Sequence, residues 1–123
     1  MVRSAIAVAA GFLLFAGATL ALFSISGRNP HAPASLVFMA SSTLYGMLFA
    51  ALGGFVAVWL AKRSRFQHAF AVAFLIAVVG AASILGRSER DSIWPHIVAV
   101  LAMAPMAMVG GYVRLRQTRS ARK

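Results

Sequence analysis

The stretch Gly46–Ala61, GMLFAALGGFVAVWLA, decides the fold. Read as an α-helix at about 100° per residue, it has two apolar faces and no polar one. One face carries only glycine and alanine, and the other carries the bulky side chains. A groove of small residues without a polar side is typical of a helix that packs closely on another helix inside lipid. The small-residue stripe consists of Gly46, Ala50, Gly53, Gly54, Ala57 and Ala61.

The composition of the whole chain points to the same class. Of its 123 residues, 61% are hydrophobic and 11% are charged, whereas soluble domains carry roughly 25% charged residues. The absence of cysteine excludes disulfides and thiolate metal sites. The net charge of +10 comes from basic residues at the ends of apolar segments, so we expect anionic lipid headgroups, and not nucleic acid, as the partner. The residues expected to contact headgroups are Lys62, Arg63, Arg65, Arg114 and Arg116.

Four windows of the sequence contain no Asp, Glu, Lys or Arg, and each is long enough for the roughly 20 residues of a membrane span. They predict an all-α integral membrane protein with four transmembrane helices in a single domain over residues 1–123. The spans are predicted near 4–26, 34–61, 66–86 and 92–113. Turn-forming residues at 29–33 place the start of the second helix near Ala34. The first window is also compatible with a cleaved signal peptide, although its apolar run is longer than a usual one.

The distribution of basic residues predicts the orientation. The amino end, the loop after the second span and the carboxyl end together hold nine Lys and Arg, and the other two loops hold three. The positive-inside rule therefore places both termini in the cytoplasm.

The chain also contains an internal echo. Four short matches recur in one order, which is compatible with a duplicated two-helix hairpin, residues 1–65 and 66–123, related by an axis along the membrane normal. The Ala- and Val-rich sequence matches itself easily, so chance similarity stays open. The matches are 5–9 with 69–73, 24–28 with 83–87, Pro30-His31 with Pro95-His96, and 53–56 with 110–113.

Small residues recur in the other spans. The third has alanine at every fourth position from Ala69 to Ala81, and the first has small residues from Ala5 to Ala21 in the same spacing, interrupted by Leu13. Helices in lipid associate through close packing, so these positions are expected to be helix contacts. The expected packing residues are Gly46, Ala50, Gly53, Gly54, Ala57, Ala69, Ala73, Ala77, Ala81, Gly110 and Gly111, and the first-span register is Ala5, Ala9, Gly17 and Ala21.

Few residues suggest chemistry. Ser41, Ser42, Thr43 and Tyr45 form a polar cluster within the second span that would line a polar path or bond back to its own helix. Pro105 lies within the fourth span, where it frees the carbonyl of Leu101 and favours a kink.

Two histidines, His31 and His96, each follow a proline and are predicted to lie on the same side of the membrane. Paired imidazoles are potential metal or haem ligands, but no carboxylate cluster accompanies them. We predict that the two do not form a site. No catalytic residue, metal site or cofactor is expected, and the protein is not expected to be an enzyme.

The residues from Gly53-Gly54-Phe55 through Ala61-Lys62-Arg63, with Trp94, Pro105 and Gly110-Gly111-Tyr112, resemble those of small bacterial four-span proteins without known activity. The resemblance implies no known activity. The expected location is the bacterial inner membrane. The preferred interpretation is a non-enzymatic protein that acts through helix packing with other membrane helices, as a homo-oligomer or an accessory subunit. The alternatives are a small transporter or channel with a path near Ser41–Tyr45 and Pro105, and a metal- or haem-binding protein using His31 and His96.

Overall fold

The computed structural model of this chain describes residues 1–28, 35–61, 66–89 and 91–123. Within these ranges the protein is helical and has no strand. The elements are α1 (Val2–Ser26), α2 (Leu36–Leu60), α3 (Phe66–Gly86), α4 (Trp94–Val98), a π-helical segment (Ala99–Met103) and α5 (Ala104–Ser120). The last three form one continuous helical run, Trp94–Ser120, called the fourth span below. Among the described residues, four helices are long and apolar enough to cross a membrane, which confirms the predicted all-α, four-helix class.

Local sequence explains several helix ends. Gly27 stops α1 with a left-handed backbone, φ 65°, which glycine adopts without strain. Ser35 caps α2, since its hydroxyl oxygen accepts a hydrogen bond from the Phe38 amide at 3.3 Å. Helix α2 thus begins two residues after the predicted start. The fourth span continues past residue 113 to Ser120 because the basic stretch that follows consists of adequate helix formers without glycine or proline.

Pro105 explains the π-helical segment. Proline has no amide hydrogen, so it cannot bond the carbonyl of the residue four positions earlier, and its ring crowds that carbonyl. The helix widens immediately before it, and the amide of Ala104 bonds the carbonyl of Ala99, five residues back. The disturbance predicted at Pro105 therefore takes the form of a π-helical turn.

Helix α2 lies at the centre of the bundle. It packs most extensively against α1 on one side and α5 on the other, and it also touches α3. Helix α3 closes the bundle by packing on α1 and the fourth span. Helix α2 runs parallel to the fourth span, because Gly46 contacts Met103 and Val58 contacts Gly111 further along both helices. It runs antiparallel to α1, because the start of α1 bonds the end of α2. The common core consists of Phe15, Ala50, Ala57, Val72, Ala73, Ile76, Met103, Ala104 and Ala107.

The outer surface of the bundle is apolar over most of its length. Large hydrophobic side chains on every span are exposed, including Leu13, Leu48, Phe70, Phe74 and Leu101. Soluble proteins rarely expose an apolar surface of this extent, whereas lipid tails solvate it. The structure therefore supports a multi-pass membrane protein.

Candidate functional site

Helices α1 and α2 cross where two glycines meet. A Cβ atom added to Gly53 would lie 2.5 Å from the carbonyl oxygen of Gly11, and one added to Gly11 would overlap the carbonyl oxygen of Gly53. Neither position has room for a side chain. The two backbones therefore touch directly, which maximises van der Waals contact where no hydrophobic effect drives association.

Helices α2 and α5 cross through a reciprocal contact. A Cβ on Gly54 would overlap the carbonyl group of Ala107, and a Cβ on Gly110 would overlap the carbonyl group of Ala51. Each glycine thus lies over the carbonyl of the residue three positions before the other glycine. Because the two helices run in parallel, the local two-fold that relates these contacts lies along the helix direction.

This reciprocity bears on the proposed repeat. The sequence echo pairs Gly53 with Gly110, but the contact at the crossing pairs Gly54 with Gly110, one residue away. Gly53 instead faces α1, and Gly111 faces Ala69 of α3. Glycines that match in the sequence repeat therefore make different packing contacts. The duplication of residues 1–65 in 66–123 stays a prediction.

The predicted small-residue stripe of α2 lies inside the bundle. All six members are buried. Gly46 receives the methyl end of Met103 from the π-helical segment. The opposite face behaves differently, since Trp59 is 58% exposed and Phe55 is half-buried. The stripe is therefore used within the protomer.

Two of the small-residue ridges depart from the prediction. On α3, Ala69 and Ala73 are buried and Ala77 is half-buried, but Ala81 is exposed. A four-residue step advances a helix by about 40° beyond a full turn, so the ridge rotates out of the interface, and Gly80 takes the contact near Val100.

The register expected on α1 points outward. Ala5, Ala9, Gly17 and Ala21 are exposed, and nothing lies within 4 Å of a Cβ at Gly17. The buried residues of α1 are Ala7, Gly11 and Phe15. Ala7 and Gly11 are also four residues apart, so a small-residue pair was present in the sequence at the correct register. The sequence could not show that this pair, and not the register that begins at Ala5, faces the bundle, because both faces of α1 are apolar.

A half-enclosed cavity of about 620 Å³ lies between the spans at one end of the bundle. This end, where α1 and α3 finish and α2 and α4 begin, is called the Arg28 end. The floor lies near mid-bundle at Phe12, Phe15, Ile76 and Met103. Residues of all four spans line the cavity.

The cavity includes part of the predicted polar path. Ser42 and Tyr45 line it, whereas Ser41, Thr43 and Pro105 do not. Thr19 of α1 and Ser83 of α3 join them, which no pattern within a single span could indicate.

Four of the five hydroxyl groups that line the cavity donate to backbone carbonyls. Ser42 donates to Phe38 at 2.7 Å, Ser83 to Val79 at 2.8 Å and Thr19 to Phe15 at 3.0 Å. The phenol of Tyr45 donates across the helix crossing to the carbonyl of Ala18 at 3.0 Å. These hydrogens are used within the protein, so the wall offers a ligand few donors and is largely apolar in character.

A basic side chain and aromatic rings lie at the mouth. The guanidinium carbon of Arg28 lies 4.5 Å from the centroid of the Phe38 ring, a cation–π geometry. Phe38 packs edge-on against Phe23 at 6.0 Å. Trp94 and His96 also line this end, and the indole nitrogen of Trp94 is buried without a hydrogen-bond partner among the described residues.

The histidine pair is only partly described. His96 is buried and lines the cavity, whereas His31 lies outside the described residues. Within the described ranges, no three His, Cys, Asp or Glu side chains lie close enough together to hold a metal ion.

Of the predicted headgroup contacts, Arg114 and Arg116 lie at the opposite end of the bundle. Lys62, Arg63 and Arg65 fall outside the described residues. Arg116 is exposed. Arg114 is half-buried, and its guanidinium carbon lies 5.6 Å from the centroid of the Phe55 ring. Arg3 donates from Nε to the carbonyl of Leu60 at 3.2 Å, which ties the start of α1 to the end of α2.

The fold and the cavity define an all-α protein with four candidate membrane spans and an apolar pocket at one end. Comparison of the chain with protein-family models, with curated proteins and with solved structures found no match.

Proposed function

We propose that this chain is a non-enzymatic multi-pass membrane protein that acts by packing against other membrane helices, as a homo-oligomer or as an accessory subunit of a larger complex. The observation that carries the proposal is the outward face of α1. It presents four exposed small residues and open space at Gly17, and three large exposed side chains, Ile6, Leu13 and Leu20, lie between them. The small residues are Ala5, Ala9, Gly17 and Ala21. Small residues on a lipid-facing surface allow another helix to approach closely.

The interior contacts support this assignment by exclusion. The α2 stripe is buried against α1 and α5 and is therefore occupied. The least buried of the four spans is α1, which leaves its outward face, including the open position at Gly17, free for a partner. The proposed setting is the bacterial inner membrane, with both termini in the cytoplasm, in accord with the nine-to-three bias of basic residues.

The test is Gly17→Leu in the full chain. Nothing lies near this position, so the protomer should keep its thermal stability, while the added side chain should prevent assembly measured by light scattering in mild detergent. Val78→Leu, an exposed change on α3, is the matched control and should leave assembly intact. A self-assembly lost with Gly17→Leu supports a homo-oligomer. A larger complex that forms only in native membranes, and is lost in the same way, supports an accessory role. Unchanged assembly of Gly17→Leu would remove the proposal.

A small transporter or channel is the second candidate, and the cavity is the observation that favours it. The cavity reaches from the Arg28 end to Gly46 and Phe12 near mid-bundle. Beyond that depth, the backbones meet at Gly11 with Gly53 and at Gly54 with Ala107. Transport would require these crossings to separate. Flux of small solutes into vesicles that contain the purified protein, absent from protein-free vesicles, would favour this candidate over the first.

A further inference from the structure

The cavity at the Arg28 end is elongated. Along α1, its lining extends from Phe12 to Ser24, about 18 Å at 1.5 Å per residue. Its volume of about 620 Å³ lies within the usual range for small-molecule sites. An elongated space of this volume suits one extended hydrocarbon chain.

The lining changes character along the cavity. The deep part is formed by aromatic and aliphatic side chains such as Phe15, Ile76 and Met103. The hydroxyls of Thr19, Ser42 and Ser83 along the wall are bonded to backbone carbonyls. The mouth carries Arg28, which is exposed and lies over the Phe38 ring. The described residues that line the cavity include no acidic side chain. Glu89 and Asp91 belong to the loop after α3, and Asp91 accepts a hydrogen bond from the Ser88 amide.

The cavity has an open side between α1 and α3. Two of its lining residues, Leu20 of α1 and Val79 of α3, are 70% and 49% exposed. In a bilayer both would face lipid. A hydrocarbon chain can therefore enter sideways from the membrane, without passing through water.

We propose that this cavity binds a single-chain lipid with an anionic headgroup, such as a long-chain fatty acid. The hydrocarbon chain lies between α1, α3 and the fourth span, and the carboxylate lies at the mouth within reach of Arg28. The apolar depth provides affinity for the chain. The arginine provides selectivity for the anion, because a guanidinium forms charge-assisted hydrogen bonds with carboxylates. This binding is separate from the helix packing proposed above, and either can fail without the other.

The two tryptophans of the chain allow a direct measurement. Trp94 lines the cavity, whereas Trp59 lies outside it and is 58% exposed. In Trp59→Phe, Trp94 is the sole reporter, and a fatty acid with a nitroxide near its carboxyl end should quench its fluorescence to a plateau. In Trp94→Phe, Trp59 reports only quenching by probe dissolved in the detergent. The methyl ester of the same probe, which has no charge, tests the headgroup.

Two substitutions separate the chain and headgroup contributions. Arg28→Gln should raise the Kd of the fatty acid roughly tenfold, a typical loss for one hydrogen bond to a charged group, and should change the binding of the methyl ester little. Arg87→Gln, at the same end but outside the cavity lining, is its control. Ala16→Phe should fill the cavity and abolish saturable quenching, whereas Ala82→Phe, exposed on α3, should preserve it.

Circular dichroism and the elution volume of each variant show whether it is folded. Non-saturable quenching that is equal for both tryptophans and unaffected by Ala16→Phe would mean bulk lipid only and would overturn the proposal. Equal Kd values for acid and ester, with no effect of Arg28→Gln, would also overturn it, because the site would then not recognise an anion.

Discussion

Gly54 of α2 and Gly110 of α5 occupy equivalent places in one helix crossing. Each lies against the carbonyl group of the residue three positions before the other, Ala51 or Ala107, with no space for a Cβ atom. Parallel helices that meet in this way approach more closely than any side chain allows. The crossing therefore requires glycine at both positions, because any other residue would place a Cβ atom within the contact.

The first prediction concerns the smallest possible change at this crossing. Gly54→Ala or Gly110→Ala should lower the free energy of unfolding by about 1–3 kcal/mol, the usual cost of overpacking, because the added carbon overlaps a carbonyl group. Gly17→Ala is the control. It has open space and should gain up to about 1 kcal/mol from better helix propensity. Unfolding in a denaturing detergent measures all three. A gain at Gly54 equal to that at Gly17 would contradict the close crossing.

The second prediction is that the two glycines are energetically coupled. Gly54→Ala should move α2 and α5 apart. In that background the gap at Gly110 is wider, so Gly110→Ala should lower the free energy of unfolding by less than it does alone. The double variant should therefore be more stable than the sum of the single effects predicts. Additivity within about 0.5 kcal/mol, which is usual for independent sites, would show that the contacts do not share one crossing.

The third prediction concerns the Tyr45 phenol, which donates to the Ala18 carbonyl between α2 and α1. Tyr45→Phe should lower the free energy of unfolding by about 0.6 kcal/mol, the mean for interhelical hydrogen bonds in membranes. Tyr112→Phe, at a residue that is 53% exposed, should have no measurable effect and serves as the control. A loss above about 2 kcal/mol would mean that Tyr45 does more than tie these two helices.

The fourth prediction concerns Pro105. Proline to alanine in a helix interior usually stabilises by about 3 kcal/mol. Here the chain before Pro105 is already π-helical, and Met103 is positioned over Gly46. Return to an α-helix would rotate α4, on the far side of the five-residue segment, by about 100° relative to α5 and would move the buried His96 out of its place in the cavity wall. Pro105→Ala should therefore leave the free energy of unfolding unchanged or lower. A gain near 3 kcal/mol would contradict this reasoning.

The fifth prediction concerns orientation. The chain has no cysteine, so single cysteines can be introduced without background. Ser92→Cys should react with a membrane-impermeant thiol reagent in intact cells, and Ser120→Cys should react only after the membrane is permeabilised. Labelling of Ser120→Cys in intact cells would reverse the proposed topology.

The number and position of the helices could be predicted because they depend on local properties. A long apolar run bounded by charges forms a helix in lipid, since only a helix satisfies its own backbone hydrogen bonds there. The ends at Gly27 and Ser35 and the disturbance near Pro105 follow from single residues in the same way. The small-residue stripe of α2 was visible because glycine and alanine occupy one side and bulky residues the other.

Which of these residues touch was decided by the tertiary structure. On α1 both faces are apolar, so no hydrophilic side showed whether Ala5 and Gly17 or Ala7 and Gly11 lie inside. The choice depends on the fit of Gly11 to Gly53, two residues far apart in sequence. The cavity likewise combines Thr19, Ser42 and Ser83 from three different helices. A sequence determines where apolar helices form. The rotation of each helix about its axis depends on contacts between residues far apart in sequence, and these contacts exist only in the packed bundle.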